Sequence, residues 1–200
     1  VSLAMFGIFF FVSLYMQNIL GYSPVHAGKI FLPMTVLTVV SAPLAGKATD
    51  IFGPRWPISI GMLLLAIALT MFSRLGAHSG FYDLLPAMLV GGVGMGIAMG
   101  PMTTAALSAL SVGQAGDAAG VVNTSRQVGG TLGIAVMGAI VAARESVPPS
   151  DPRFATQFLH GFHDALLAGA GIALVGALLS AALVRRVRTA PRSGRLRVAP

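Results

Sequence analysis

Residues 46 to 55 read GKATDIFGPR and set Lys47, Asp50 and Arg55 close together, punctuated by Gly46 and Gly53. A carboxylate at Asp50 can accept hydrogen bonds from a neighbouring helix N-terminus or pair with an arginine. Gly46 is expected to allow close helix contact, and Gly53 a tight turn with positive φ. A second group is Asn123, Arg126, Gln127 and Gly130. These recur at i, i+3, i+4 and i+7, so they share one face of a helix, with Val121, Val128 and Leu132 opposite. A guanidinium there can hold an anion or a cluster of carbonyls through its planar fork. A third is HGFHD, where His160 and His163 at i, i+3 precede Asp164 and could present two imidazoles on one helix face. No second ligand cluster accompanies that pair, so no metal site is expected. HGFHD reads as a polar turn before the last apolar segment.

The elements that carry these residues are apolar. Hydrophobic residues make up 55% of the 200 and charged ones 10%, with a mean hydropathy of +0.82. Soluble domains carry roughly 25% charged residues, so this chain cannot cover a water-facing surface. Segments inside a bilayer must satisfy their own backbone, and long unbroken apolar runs select helices over the strands of a barrel. The expected fold is therefore an all-α integral membrane protein with six transmembrane helices in one bundle. The spans run near Ser2 to Leu20, Ile30 to Gly46, Pro57 to Ser73, Leu84 to Leu110, Ala119 to Ala143 and Ala165 to Val184. Residues 1–184 form the bundle and 185–200 a basic tail. Val1 opens inside an apolar run, so the chain reads as a piece of something longer.

Charge sets the expected orientation. Lys47, Arg55 and six arginines of the tail fall on one side of six spans, against Lys29, Arg74, Arg144 and Arg153 on the other. Eight against four places the tail and the GKATDIFGPR loop in the cytoplasm. The net charge of +7 is spread over loop ends and the tail, with no basic stripe for nucleic acid. There is no cysteine. No nucleophile–base pair stands inside a span, which argues against an enzyme. The run GGVGMGIAMG lacks the spacing of a dinucleotide fingerprint, and no cofactor is expected.

Small residues four apart recur: Gly92, Gly96 and Gly100; Ser125, Gly129 and Gly133; Ala165, Gly169, Ala173, Ala177 and Ala181. They let helix backbones approach closely in lipid. Pro33, Pro43 and Pro101 could add bends. Candidate substrate contacts are the polar groups of the spans: Tyr15, Gln17 and Asn18 near the outer end of the first, Asn123, Arg126 and Gln127 in the fifth. Thr35, Thr38, Ser41, Thr103, Thr104 and Ser108 either line the same path or bond back to their own helices. Arg126 costs roughly 2.5 to 3.5 kcal/mol at a helix centre. It either faces protein or a watery cavity, or snorkels to the cytoplasmic interface.

Gly46-x-x-x-Asp50-x-x-Gly53-x-Arg55, after the second of six spans, resembles the loop signature of the major facilitator superfamily. LYMQNILGYSPVHAGKIFLP resembles the first and second helices of the C-terminal half in its EmrB/QacA-type drug–proton antiporters, and GGVGMGIAMGP and GDAAGVVNTSRQVGGTLGIAV resemble that branch's later helices. The resemblance implies the last six helices of a fourteen-helix exporter that expels cationic, amphipathic or other toxic compounds in exchange for protons. It implies as partners the lipid bilayer, the amino-terminal bundle of the same transporter, a small-molecule substrate and protons. The acidic residues tied to coupling in the family would lie in that other bundle. The alternative is a membrane fragment that keeps the fold without transporting, in a structural or regulatory role.

Overall fold

The computed structural model describes residues 1–108, 115–148 and 150–184. The basic tail, residues 185–200, the end of the fourth expected span and the side chain of Ser108 lie outside the described residues. Every regular element described is helical. They are α1 (Ser2–Asn18), α2 (Pro24–Phe52), α3 (Arg55–Phe72), α4 (Phe81–Ser108), α5 (Ala115–Ala142) and α6 (Phe154–Leu183). Five of them, α2 to α6, are long and apolar enough to cross a membrane. The shorter α1 is close to the lower limit of about 17 residues for a span.

Three boundaries differ from the sequence reading. Helix α2 bends at Phe31 between Pro24–Ile30 and Leu32–Phe52 and does not stop at Gly46. Its backbone stays helical through Lys47 and Asp50 because nothing there opposes the helix. It ends where Gly53 takes φ 77°, ψ 170° and its N–H closes on the Thr49 carbonyl at 2.9 Å. Helix α6 begins at Phe154, so HGFHD is not a turn. Its polar side chains are satisfied in place: His163 Nε2 lies 2.7 Å from the Leu75 carbonyl oxygen, and Asp164 pairs with Arg144 at 2.7 Å. Within α1, Ile8–Val12 forms a π-helical turn.

Helix α3 is the centre of the bundle, packed on α4 and α6, with α2 against α4 and α1 against α5. Leu65, Leu69 and Phe72 of α3 are fully buried with Phe158 and Phe162 of α6. Backbones meet where side chains are smallest. A Cβ on Gly61 would lie 2.7 Å from the Gly94 carbonyl oxygen, and one on Gly96 would lie 2.5 Å from that of Thr38. Gly92 and Gly96 thus form the α4 face on α2, whereas Gly100 and Gly46 have nothing within 4 Å. The close contact expected at Gly46 is absent among the described residues, because that side of α2 is exposed. Ala165, Gly169, Ala173 and Ala177 are buried along α6.

Candidate functional site

At the α2–α3 corner, Asp50 occupies the exposed side of the last turn of α2. Gly53 and Pro54, both buried, reverse the chain, and Arg55 opens α3 with its guanidinium 5.6 Å from the Trp56 ring centroid. The Arg55 Nε is buried with no hydrogen-bond partner among the described residues. The conformation of Gly53 belongs to a region that side chains other than glycine's scarcely enter, so the motif's second glycine is the residue that makes the corner.

The hydroxyls of the spans mostly bond back to their own helices. Thr35 donates to Phe31, Ser41 to Leu37, Thr103 to Met99 and Thr104 to Gly100, all carbonyls one turn earlier. Thr38 adds a bridge, reaching both the Met34 carbonyl at 2.9 Å and the Gly92 carbonyl of α4 at 3.1 Å. Gln17 donates to the Ser13 carbonyl and hydroxyl in the same way.

Tyr15 is not exposed at all. Its ring stacks on Phe162 at 5.0 Å and 14°, and its hydroxyl donates to the Gly76 carbonyl at 2.6 Å. It therefore closes the end of the bundle rather than facing an open path. Asn18, one turn on, is exposed, and Gln17 is half-buried. Gln17, Ser13, Phe6, Phe9, Phe10 and Ile134 border an open groove of about 320 Å³ between α1 and α5. The π-helical turn falls inside this stretch of α1. Such turns insert one residue and rotate the downstream face by about 100°.

Arg126 stands where α5 meets α4. Its Nη2 donates to Thr103 Oγ1 at 2.5 Å. The Thr103 proton is committed to the Met99 carbonyl, so its hydroxyl oxygen is left as the acceptor. No carboxylate of the described residues is within ion-pairing distance of Arg126. Asn123 and Gln127 beside it are exposed, and Gly130, one turn on, is covered by the Phe6 ring. Asn123, Arg126 and Gln127 stand one to two turns before Gly130, which is covered by the groove's Phe6, and Tyr15 does not border that groove. Periodicity marks Asn123, Arg126 and Gln127 but carries no signal for Phe6, Phe10 and Ile134, which meet across more than a hundred residues. Among the described residues no group of three metal-ligating side chains converges.

In the connection between α5 and α6, Asp151 accepts from the side chain and the backbone N–H of Arg153 just before α6. Those bonds hold its carboxyl below the usual carboxylate range.

The chain is similar to known bacterial resistance proteins. It is 39% identical over 138 residues, 69% of its length, to a tetracenomycin C resistance and export protein of Streptomyces glaucescens. It is 32% identical over its whole length to a puromycin resistance protein of Streptomyces alboniger. It is also 32% identical over 72% of its length to the multidrug resistance protein Stp of Mycobacterium tuberculosis. The chain spans 26% to 42% of the length of these relatives. Residues 1–134 match the family model described as Major Facilitator Superfamily, and with those relatives and this helical bundle the chain belongs to that superfamily.

Proposed function

We propose that this chain is the carboxy-terminal six-helix portion of a proton-coupled exporter of drugs or other small amphipathic compounds. The observation that carries the reading is Arg126, a charge within an apolar helix, bonded to Thr103 and flanked by the exposed amides of Asn123 and Gln127. A span exposing such a face to lipid would be costly, so the face borders water, substrate or the rest of the transporter. The names of the relatives, each a resistance protein, support export over the reading as a non-transporting fragment. Their greater length supports an amino-terminal bundle as the partner across the pathway, with substrate held between two bundles near the midplane. The bundle carries no catalytic role in this reading: it binds and releases substrate without making or breaking bonds. The count of basic residues supports placing the α2–α3 corner and residues 185–200 on the cytoplasmic side of the cell membrane. There Asp50, beside Gly46, Gly53 and Arg55, acts on the gate by stabilising one end state of the cycle through charge-assisted hydrogen bonds.

The test is export by the intact transporter in a bacterium stripped of its own efflux pumps. Puromycin resistance, abolished by a protonophore, is expected, while residues 1–200 alone do not give it. Protonophore-sensitive efflux by residues 1–200 alone would sink the half-transporter reading. Absence of export by the intact protein would sink export itself.

A further inference from the structure

We propose that Arg126 and the α1–α5 groove form one binding site for a planar aromatic anion, with the carboxylate or phenolate on Arg126 and the ring system between the phenylalanines. The inference rests on the export reading and adds to it a substrate class and the residues that select it.

The charge of the site is one-sided. The six acidic residues of the chain all sit elsewhere. Asp83 caps the Gly80 N–H at the start of α4, Asp164 is paired with Arg144, and Asp151 with Arg153. Asp50 is on the last turn of α2 and Glu145 follows the end of α5. Asp117, in the first turn of α5, is nine residues before Arg126 and so about 13 Å away along the helix. A guanidinium in a low-dielectric setting without a counter-charge attracts anions and repels cations more strongly than one in water. Thr103 fixes its direction from one edge, because the Thr103 oxygen has only lone pairs to offer it. Asn123 and Gln127, exposed on the same face, add amide donors.

The apolar half of the site adjoins this charge. A Cβ on Gly130 would fall 2.8 Å from the Phe6 ring, so the absence of a side chain there is what lets the ring lie against α5 one turn from Arg126. Beyond it the groove is bordered by Phe9, Phe10 and Ile134, with Phe10 47% exposed. Ile134 is eight residues past Arg126, about 12 Å along the axis. A flat ring system of that length fits rings that offer faces and edges for stacking. A cationic dye would meet the same rings with the wrong charge at the end.

The test compares two dyes built on one xanthene core, anionic fluorescein and cationic rhodamine 123. Both are titrated by anisotropy against the intact transporter in phosphatidylcholine nanodiscs, alongside export of each from energised cells. Wild type is expected to prefer fluorescein. Arg126→Gln should weaken fluorescein at least about tenfold, the scale of a lost charge-assisted hydrogen bond, and leave rhodamine 123 unchanged or tighter. Phe10→Ala should weaken both dyes. A preference for rhodamine 123, or equal effects of Arg126→Gln on both dyes, overturns the anion site while export of either dye keeps the export reading intact. Fluorescein binding that ignores both substitutions shows the groove filled by lipid or another segment, and also overturns it. A protein that neither binds nor exports either dye overturns the export reading as well.

Discussion

The Tyr15 hydroxyl donates to the Gly76 carbonyl at 2.6 Å, and His163 Nε2 lies 2.7 Å from the carbonyl oxygen of the preceding residue, Leu75. Two side chains from α1 and α6 thereby hold adjacent carbonyls of the turn between α3 and α4. The Tyr15 and Phe162 rings stack beneath them. This end of the bundle is pinned by directional bonds where the helices leave the apolar layer. Tyr15→Phe keeps the stack and removes one bond, so it should lower stability by about 0.5–1.5 kcal/mol. Tyr15→Ala also empties a buried site and should cost about 3–5 kcal/mol. Thermal unfolding in detergent reads both. No loss for Tyr15→Phe would show that the hydroxyl contributes nothing.

The close approach of α2 and α4 makes a contrast within one helix. A Cβ on Gly96 would collide with Ser41 Oγ and lie 2.5 Å from the Thr38 carbonyl oxygen, and that backbone cannot yield. Gly96→Ala should therefore destabilise by about 1–3 kcal/mol, the cost of overpacking. Gly100→Ala, with nothing within 4 Å, should be neutral or stabilising by up to about 1 kcal/mol from helix propensity. The two melting shifts should differ in sign or at least in size. Matching shifts would mean that α2 and α4 do not approach through Gly96.

Much of this architecture was legible in the sequence. Hydropathy marks the spans, the i, i+3, i+4, i+7 pattern marks the polar face of α5, and glycine spacing marks the α4 contact at Gly92 and Gly96. Charge misleads at helix ends. Lys47 and Asp50 read as loop, yet α2 continues because only Gly53 has the backbone freedom to stop it. His163 and Asp164 read as a turn, yet they sit in α6 because Leu75 and Arg144 supply partners that are distant in sequence. Tyr15 looks like a pathway residue until the Gly76 carbonyl and the Phe162 ring enclose it. The groove has no local signal, since Phe6 meets Gly130 only through tertiary packing.

At the α2–α3 corner, two substitutions separate geometry from charge. Gly53 has φ 77° and ψ 170°, so Gly53→Ala should cost about 1–3 kcal/mol and reduce abundance. Asp50→Asn leaves the backbone alone and, in the gating role proposed for it, should slow turnover at near-normal abundance. Quantitative immunoblotting together with fluorescein efflux from energised cells distinguishes them. A fully active Asp50→Asn transporter would remove Asp50 from the gate and leave it a topological anchor.

The pathway role of α5 depends on the Arg126 guanidinium working inside the transport path rather than reaching for the interface. Its bond to Thr103 uses one edge of a planar fork that lysine lacks. The most direct measurement is the rate of substrate efflux by the intact transporter carrying Arg126→Lys or Arg126→Ala, each normalised to membrane abundance. The Lys variant should be impaired nearly as much as the Ala variant, with both inserted at wild-type levels. A Lys variant as active as wild type would contradict the account and show that a positive charge anywhere near that depth suffices.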